Sequence, residues 1–403
     1  MKQSRTDAFY RSRILLSCVL ADPTQEAFIT SLRNLDAQCM ADFLDKILRE
    51  KDGILSTEEG SSILSLLCAL TKSAQVFPQC YELKDIEEDP QIIAAGGFSE
   101  IRKGTYQGQT ICLKVLRQYH QPDRNERMLG MVAKEFVLWA HLSHPNILPL
   151  YGVYYSGGSR HICLVCPWIK NGNLVEYLKS VPQSPRMPLI CDVANGLLYL
   201  HQLMIVHGDL KGANVLVSNE GHALVSDFGL SSIIGSGILS QNEATGGATR
   251  WSAPELFYGG DGGGGVSSTW ECDIWSFSCL CYEVHTLRPP FFQYARDIHV
   301  IVALQRQEIP ILPDGCNISD RMWGLMNKCW RYNPRDRPSC EEIWRFLMDL
   351  EIIDPRPPAK QFDVGEVGRK TWDSRIDYPR VYDLLFHISQ GEYTSHSISS
   401  YPE

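Results

Sequence analysis

Apolar positions in the first 84 residues recur at helical intervals. Ala27, Leu32, Leu35, Met40, Phe43, Leu44, Ile47 and Leu48 return roughly every three or four places, the spacing that draws a stripe along one face of an α-helix. Lys51-Asp52-Gly53 stops that run. Ser56-Thr57-Glu58-Glu59 reads as a restart, because an acceptor side chain followed three residues later by a carboxylate suits a helix N-terminus. A second apolar helix then covers residues 61–70. Near residue 92 the period changes. Residues 101–106 and 110–116 read as two strands joined by the glycine-bearing turn Gln107-Gly108-Gln109. Residues 128–142 read as a helix that ends at Ser143-His144-Pro145-Asn146, and residues 147–153 and 161–166 as two more strands. After Gly172 the helical period returns, with Ile190, Val193, Ala194, Leu197 and Leu198 on one face. A strand-rich part followed by a helix-rich part predicts an α+β chain of two lobes. From residue 354 the chain is proline-bearing, polar and finally serine-rich, which reads as a flexible tail with a short helix near 381–389.

Composition narrows the classes. The chain has 403 residues, 44% of them hydrophobic and 21% charged, so it can bury a sizeable core and is neither a disordered nor a coiled-coil chain. A formal net charge of −9 lacks the basic footprint of a nucleic-acid or membrane-surface binder, so no nucleic-acid partner is expected. The longest early apolar stretch, residues 63–70, is too short to span a bilayer. The 14 cysteines are scattered through apolar runs, as small hydrophobes are, which suggests a reducing, cytoplasmic setting with the nucleus left open. Cys163-x-x-Cys166 has zinc-ligand spacing but no second pair close by, so its cysteines read as structural. The glycine run at residues 259–265 lacks a following Lys-Ser/Thr and reads as a connector, not a phosphate loop.

The candidate chemistry sits elsewhere. Ala94-Ala95-Gly96-Gly97-Phe98-Ser99 precedes the strand that ends Ile111-Cys112-Leu113-Lys114, and glycines at a hairpin let backbone N–H groups approach phosphate oxygens. Glu135, on the next helix, can reach Lys114. His207-Gly208-Asp209-Leu210-Lys211-Gly212-Ala213-Asn214 and Asp227-Phe228-Gly229 flank two short strands. The carboxylates and carboxamide on these loops are hard oxygen ligands that suit Mg²⁺ held partly through nucleotide phosphates. Asp209 can orient a substrate hydroxyl and take its proton, and Lys211 adds charge where a transferring phosphoryl group needs it. Each residue alone has an ordinary structural explanation; their joint order and spacing do not.

Residues 83–350 resemble a eukaryotic protein kinase. His207-Gly208-Asp209 with Lys211 and Asn214 matches the catalytic loop, and Asp227-Phe228-Gly229 the magnesium motif. Ala253-Pro254-Glu255 matches the end of the activation segment, Asp273-x-Trp275-Ser276 the start of the large buried helix, and Arg337 the arginine that pairs with Glu255. His144-Pro145-Asn146-Ile147, Pro167-Trp168 and Arg250-Trp251-Ser252 are similar to the tyrosine-kinase-like group. Asp209-x-Lys211 is the Ser/Thr form of the loop, and the His-Gly-Asp variant resembles kinases of mushroom-forming fungi. The resemblance implies the bilobed kinase fold: a small antiparallel-sheet lobe with one helix (about 85–166), and a larger, mainly helical lobe (about 170–350). Residues 1–84 remain a helical segment that could dock a protein partner, and 351–403 a polar tail.

The resemblance also implies ATP and Mg²⁺ as cofactors and a protein with a Ser or Thr acceptor as substrate. Lys114, held by Glu135, would contact the α- and β-phosphates; Asn214 and Asp227 would hold the metal; Asp209 and Lys211 would serve the transfer. Ile93, Ala94, Gly96, Gly97, Phe98, Ile101, Cys112, Cys166, Pro167, Trp168, Ile169 and Leu216 would line the nucleotide, with Cys166 as a small gatekeeper. Four departures stand out. Ala94 and Ser99 replace loop glycines, Gly208 replaces the usual arginine, and Ala248 replaces a hydroxyl residue. The alternative reading is a weak or dead pseudokinase acting as a scaffold, with tyrosine or dual specificity as a milder variant.

Overall fold

The computed structural model describes residues 2–50, 56–95, 99–116, 132–133, 135–156, 161–228, 232–233, 249–258, 268–316, 318–359 and 375–391. Gly96, Gly97, Phe98, Gly229, Ala248 and residues 259–265 lie outside them. The chain divides into two compact units, one holding residues 1–141, 149–168 and 363–403, the other 142–148 and 169–362.

The first unit is a sheet beside a helical bundle. Strands β1 (Glu87–Ala95), β2 (Ser99–Tyr106), β3 (Gln109–Leu116), β4 (Gly152–Ser156) and β5 (His161–Pro167) form one antiparallel sheet in the order β1-β2-β3-β5-β4. The β2–β3 turn is tight because Gln107 (φ 49°) and Gly108 (φ 76°) both enter the left-handed region, the geometry whose twist matches a two-residue hairpin. Ile111, Leu113 and Val115 alternate with Cys112 and Lys114 along β3. The first set joins Ile86, Cys163 and Val165 in a buried cluster, which leaves Cys112 and Lys114 on the opposite face.

The strand read at residues 147–153 is displaced: β4 begins only at Gly152. Pro149 has no N–H to give to a ladder. Ile147 and Leu148 instead meet Val225 of the second unit, through a single bridge and a 2.9 Å hydrogen bond from the Leu148 N–H.

The bundle comprises α1 (Lys2–Leu20), α2 (Pro23–Ser31), α3 (Asn34–Arg49) and α4 (Thr57–Ala74). The restart at Ser56 is a full capping box: Ser56 Oγ accepts from the Glu59 N–H, and the Glu59 carboxylate accepts from the Ser56 N–H. A one-turn 3₁₀ helix, Gln79–Tyr81, leads from the bundle to the sheet. The helix carrying Glu135, α5, is described over 132–133 and 135–140.

The second unit is mainly helical. It holds α6 (Leu174–Ser180), α7 (Arg186–Gln202), α8 (Glu255–Tyr258), α9 (Trp270–Thr286), α10 (Asp297–Gln305), α11 (Asp320–Cys329) and α12 (Cys340–Met348), with short strand pairs. Within α9 every residue from Cys272 to Val284 is buried, as in a helix with neighbours on all sides. Just past α12, Arg356 pins the chain back on α7, with guanidinium nitrogens 2.6 and 3.2 Å from the Asp192 carboxylate.

The short helix read near residues 381–389 is present in the polar tail and begins three residues earlier. Helix α13 (Tyr378–Ser389) belongs to the first unit and packs on α1, α2 and α3. Its Tyr378 ring sits edge-on to Phe9 and Phe43, and Arg380 reaches Asp36 at 2.6 Å.

Candidate active site

In the sheet-bearing unit, Lys114 is held on β3 between Ile101 of β2 and Leu164 of β5, its register partners. Its Nζ lies 2.6 Å from Glu135 Oε1, with both side chains largely withdrawn from solvent. A charge-assisted bond this short holds the lysine extended along one direction. The sheet therefore brings together two residues that lie 21 positions apart.

The same face of β3 carries Cys112, directly opposite Cys166 of β5. The Cys112 contact and burial together push the Cys166 thiol well above its ordinary range, so it fills space as a neutral side chain. Cys163 and Cys166 point to opposite faces of β5, as an odd spacing in a strand requires, which rules out joint ligation of one ion. Trp168 donates its backbone N–H to the Thr110 carbonyl (3.3 Å), and Lys103 Nζ lies over its ring at 4.5 Å. Ile93 is on β1, two-fifths exposed, and Ala94 pairs with Ile101.

In the helical unit the loop after α7 is built around Asp209. Its Oδ2 accepts from Lys211 Nζ (2.7 Å) and from Asn214 Nδ2 (2.8 Å), and Asn214 Nδ2 also bonds the Asp209 carbonyl. Strand β6 (Val215–Val217) pairs with β7 (Ala223–Val225), so Asn214 lies opposite Ser226. Ser226 donates both its N–H and its hydroxyl to the Asn214 carbonyl, each at 2.9 Å. That double tie sets Asn214 beside the residue preceding Asp227. Asp227 has φ 64°, a left-handed conformation that Asp tolerates better than most residues. Leu216 pairs with Leu224, and the Ile169 carbonyl accepts from the Gly172 N–H.

Asn214 and Asp227 carry hard oxygen donors of the kind that would hold a magnesium ion, with phosphates and water completing its shell. Asn214 commits its amide nitrogen to Asp209, which leaves the carbonyl oxygen as its ligating atom. Among the described residues no group of three His, Cys, Asp or Glu is placed to hold a metal. One carboxylate and one carboxamide suit a cation that arrives with its phosphates.

Three residues support this loop: Asp273 and His207, which lie in the sequence motifs, and Glu283, which the motifs did not single out. Asp273, near the start of α9, accepts from the His207 and Gly208 N–H groups at 2.8 and 2.9 Å and meets His201 Nε2 at 3.0 Å. Glu283 accepts from the Gly212 N–H at 2.9 Å and Trp251 Nε1 at 3.2 Å. The two acids lie ten residues apart on α9, about 15 Å along its axis, so one buried helix grips both ends of the catalytic loop. Burial raises the Glu283 carboxyl, while these donors pull it back in part. The signal in the sequence was an acid inside the apolar run Cys279-Leu280-Cys281-Tyr282-Glu283-Val284.

The third support is His207. Its Nδ1 accepts the Asp209 N–H (3.2 Å), so Nε2 carries the proton and donates to the Ser226 carbonyl at 3.0 Å. That tautomer links the Asp209 loop to the Asp227 loop. Gly208 has φ 80°, which costs glycine little and a larger residue more.

A sequence model of the family described as protein tyrosine and serine/threonine kinase matches residues 88–347. A probable serine/threonine-protein kinase of Dictyostelium discoideum is 29% identical over 274 residues, 65% of this chain and 19% of that protein. Tyrosine-protein kinase SRK3 of Spongilla lacustris is 30% identical over 271 residues, 64% of this chain and 75% of that one. The dual specificity protein kinase zakA of Dictyostelium discoideum is 28% identical over 284 residues, covering 64% and 34%. The chain thus spans between a fifth and three quarters of the length of these relatives. Among the described residues no helix is long and apolar enough to cross a membrane. With the matched segment containing the five-stranded sheet, the Lys114–Glu135 pair and the Asp209 loop, the chain belongs to the protein tyrosine and serine/threonine kinase family.

Proposed function

We propose that this chain is an active, ATP-dependent protein kinase that phosphorylates Ser or Thr hydroxyls, from the tyrosine-kinase-like branch of its family. The observation that carries the Ser/Thr reading is the 2.7 Å contact of Lys211 Nζ with Asp209 Oδ2. It sets a cation beside the base that receives the hydroxyl.

Bound ATP with Mg²⁺ supplies the phosphoryl group and offsets the charge of its phosphates. Lys114, kept extended by Glu135, binds the α- and β-phosphates. Cys112, Cys166, Pro167, Trp168, Ile169, Leu216, Ile93, Ala94 and Ile101 form the adenine surroundings, with the Ile169 N–H as donor to the base. Asn214 and Asp227 hold the metal. Asp209 positions the acceptor hydroxyl and takes its proton, and Lys211 offsets charge on the transferring group. Positioning and charge dominate, because the reaction asks little covalent chemistry of the protein.

The test is incubation of the full chain with γ-labelled ATP, Mg²⁺ and a generic protein substrate, followed by phosphoamino-acid analysis. Phosphoserine and phosphothreonine, lost in Asp227→Asn, are expected. Phosphotyrosine alone would overturn the specificity. No incorporation with any divalent metal would favour a scaffold of the same fold.

A further inference from the structure

We propose that the N-terminal bundle, closed by tail helix α13, is a positioning module for Glu135, with Asp45 as its key positioning residue. The proposal rests on the kinase reading above and names a control on that same site.

The Lys114–Glu135 pair joins a strand to a helix, so its geometry depends on where α5 sits. Several contacts on α5 and the residue after it come from outside the matched kinase segment. Phe136, the neighbour of Glu135, is fully buried between the edge-on rings of Phe77 (5.0 Å) and Tyr81 (5.3 Å). The Tyr81 hydroxyl donates to the Ala140 carbonyl at 3.2 Å. One residue further on, His141 Nε2 lies 3.1 Å from Asp45 Oδ1 of α3. The two lie off the axis of an aligned hydrogen bond.

Asp45 is fully buried. Its other oxygen takes Arg49 Nε at 2.7 Å and Cys80 Sγ at 3.2 Å. Its neighbour Asp42 accepts from the Gln79 N–H at 2.7 Å. At His141, Nδ1 faces the Val137 carbonyl at 2.8 Å, so that nitrogen must carry a proton. With that nitrogen committed, Nε2 is the ring atom that faces Asp45.

A buried carboxylate separated from its partners is costly. The contact therefore ties α3 to the end of α5. The chain's end completes the module: α13 packs its Tyr378 against Phe43, two residues before Asp45, and its Arg380 against Asp36 of the same helix. Release of α13 or α3 thereby loosens the helix that holds Glu135.

The experiment is a double-mutant cycle on the full chain, read by the Kd of a fluorescent ATP analogue and by kcat with separate KM values for ATP and peptide. Asp45→Asn is expected to weaken nucleotide binding about fivefold, to raise the KM for ATP, and to leave the peptide KM unchanged. In a Glu135→Gln background the same substitution should change the Kd by less than twofold. A purely structural role would lower kcat alone by reducing the folded fraction. An unchanged Kd in Asp45→Asn, or a fivefold loss that persists in Glu135→Gln, overturns the proposal.

Should the wild-type chain bind nucleotide but transfer no phosphate, the kinase reading fails and the cycle still decides. Should it bind none, hydrogen exchange at residues 135–141 decides, with faster exchange in Asp45→Asn expected and unchanged exchange refuting. If Asp45→Asn does not fold, Tyr81→Phe, which removes only the hydroxyl bonded to Ala140, replaces it in the same cycle.

Discussion

Replacing Arg337 by alanine tests the tie between the end of the activation segment and the helical unit. The Arg337 side chain is fully buried and forks onto Glu255, with Nη1 2.6 Å from Oε1 and Nη2 2.8 Å from Oε2. Nη1 also serves the Glu271 carbonyl and Nε the Arg331 carbonyl, each at 2.8 Å, and the guanidinium lies 5.2 Å from the Trp275 ring centre. Removing one member of a buried pair costs about 3–5 kcal/mol, mostly through the charge left behind. Glu255 keeps one fifth of its side chain exposed, so water recovers part of that loss and the expected cost is at the lower end, about 3 kcal/mol. For a unit of this size that lowers the melting temperature by roughly 6–12 °C. Differential scanning calorimetry reads it directly. Arg337→Lys keeps the charge but loses the fork, so it should fall between wild type and Arg337→Ala. The double variant Arg337→Ala/Glu255→Ala should lose less than the two single variants combined, because no carboxylate is stranded. A melting temperature for Arg337→Ala within about 2 °C of wild type, less than 1 kcal/mol by the same conversion, would refute the reasoning.

The other predictions follow from the same kind of geometry. Asp209→Asn should cut steady-state phosphoryl transfer at least about a hundredfold, because it removes the proposed proton acceptor. Gly212→Ala places a Cβ 2.6 Å from Val175 Cγ2 and 2.7 Å from Glu283 Oε2; forcing those apart should cost about 1–3 kcal/mol in urea unfolding and lower activity with it. Asp192→Ala leaves the largely buried Arg356 without its α7 partner, so limited proteolysis should cut sooner at residues 354–359. Burial pushes the Asp42 carboxyl up from 3.8 to about 7. Between those values the folded state binds the extra proton, so this contribution to stability is full at low pH and is lost as pH rises through 7. Both donors to Asp42 use Oδ1, which the amide retains. Asp42→Asn should therefore gain about 2–3 kcal/mol over wild type on going from pH 5 to pH 8 in urea titrations.

The catalytic loop was legible because its chemistry is local. Asp209, Lys211 and Asn214 lie within six residues, and the groups that hold them are largely one another. The hairpin carrying Lys114 was legible from its turn, since Gly108 supplies the left-handed conformation and the strands alternate on either side of it. The support from Glu283 was not. Glu283 serves Gly212 across 71 positions, and nothing local distinguishes that acid from one facing solvent except its apolar neighbours. The displaced start of β4 has the same origin. Residues 147–150 look strand-like, but Pro149 cannot donate to a ladder and the pairing of Ile147 and Leu148 with Val225 is tertiary, which periodicity does not contain.

The two ends of the chain show where such reading stops and what physical rule takes over. Val381, Leu384, Leu385 and Ile388 are all buried, and they stand at i, i+3, i+4 and i+7, a complete apolar face in an otherwise polar tail. Phe9, Leu16 and Val19 form a matching buried set on α1. Neither segment is large enough to cover its own face, and a short amphipathic helix without a partner is unstable in water. The faces therefore require some surface, and charge narrows the choice: Arg380 on α13 meets Asp36 on α3. Pairing the ends with each other covers both faces with one interface. That the tail is spent on the bundle, and the bundle on α5, is the reason a segment with no chemical motif of its own can still bear on Glu135.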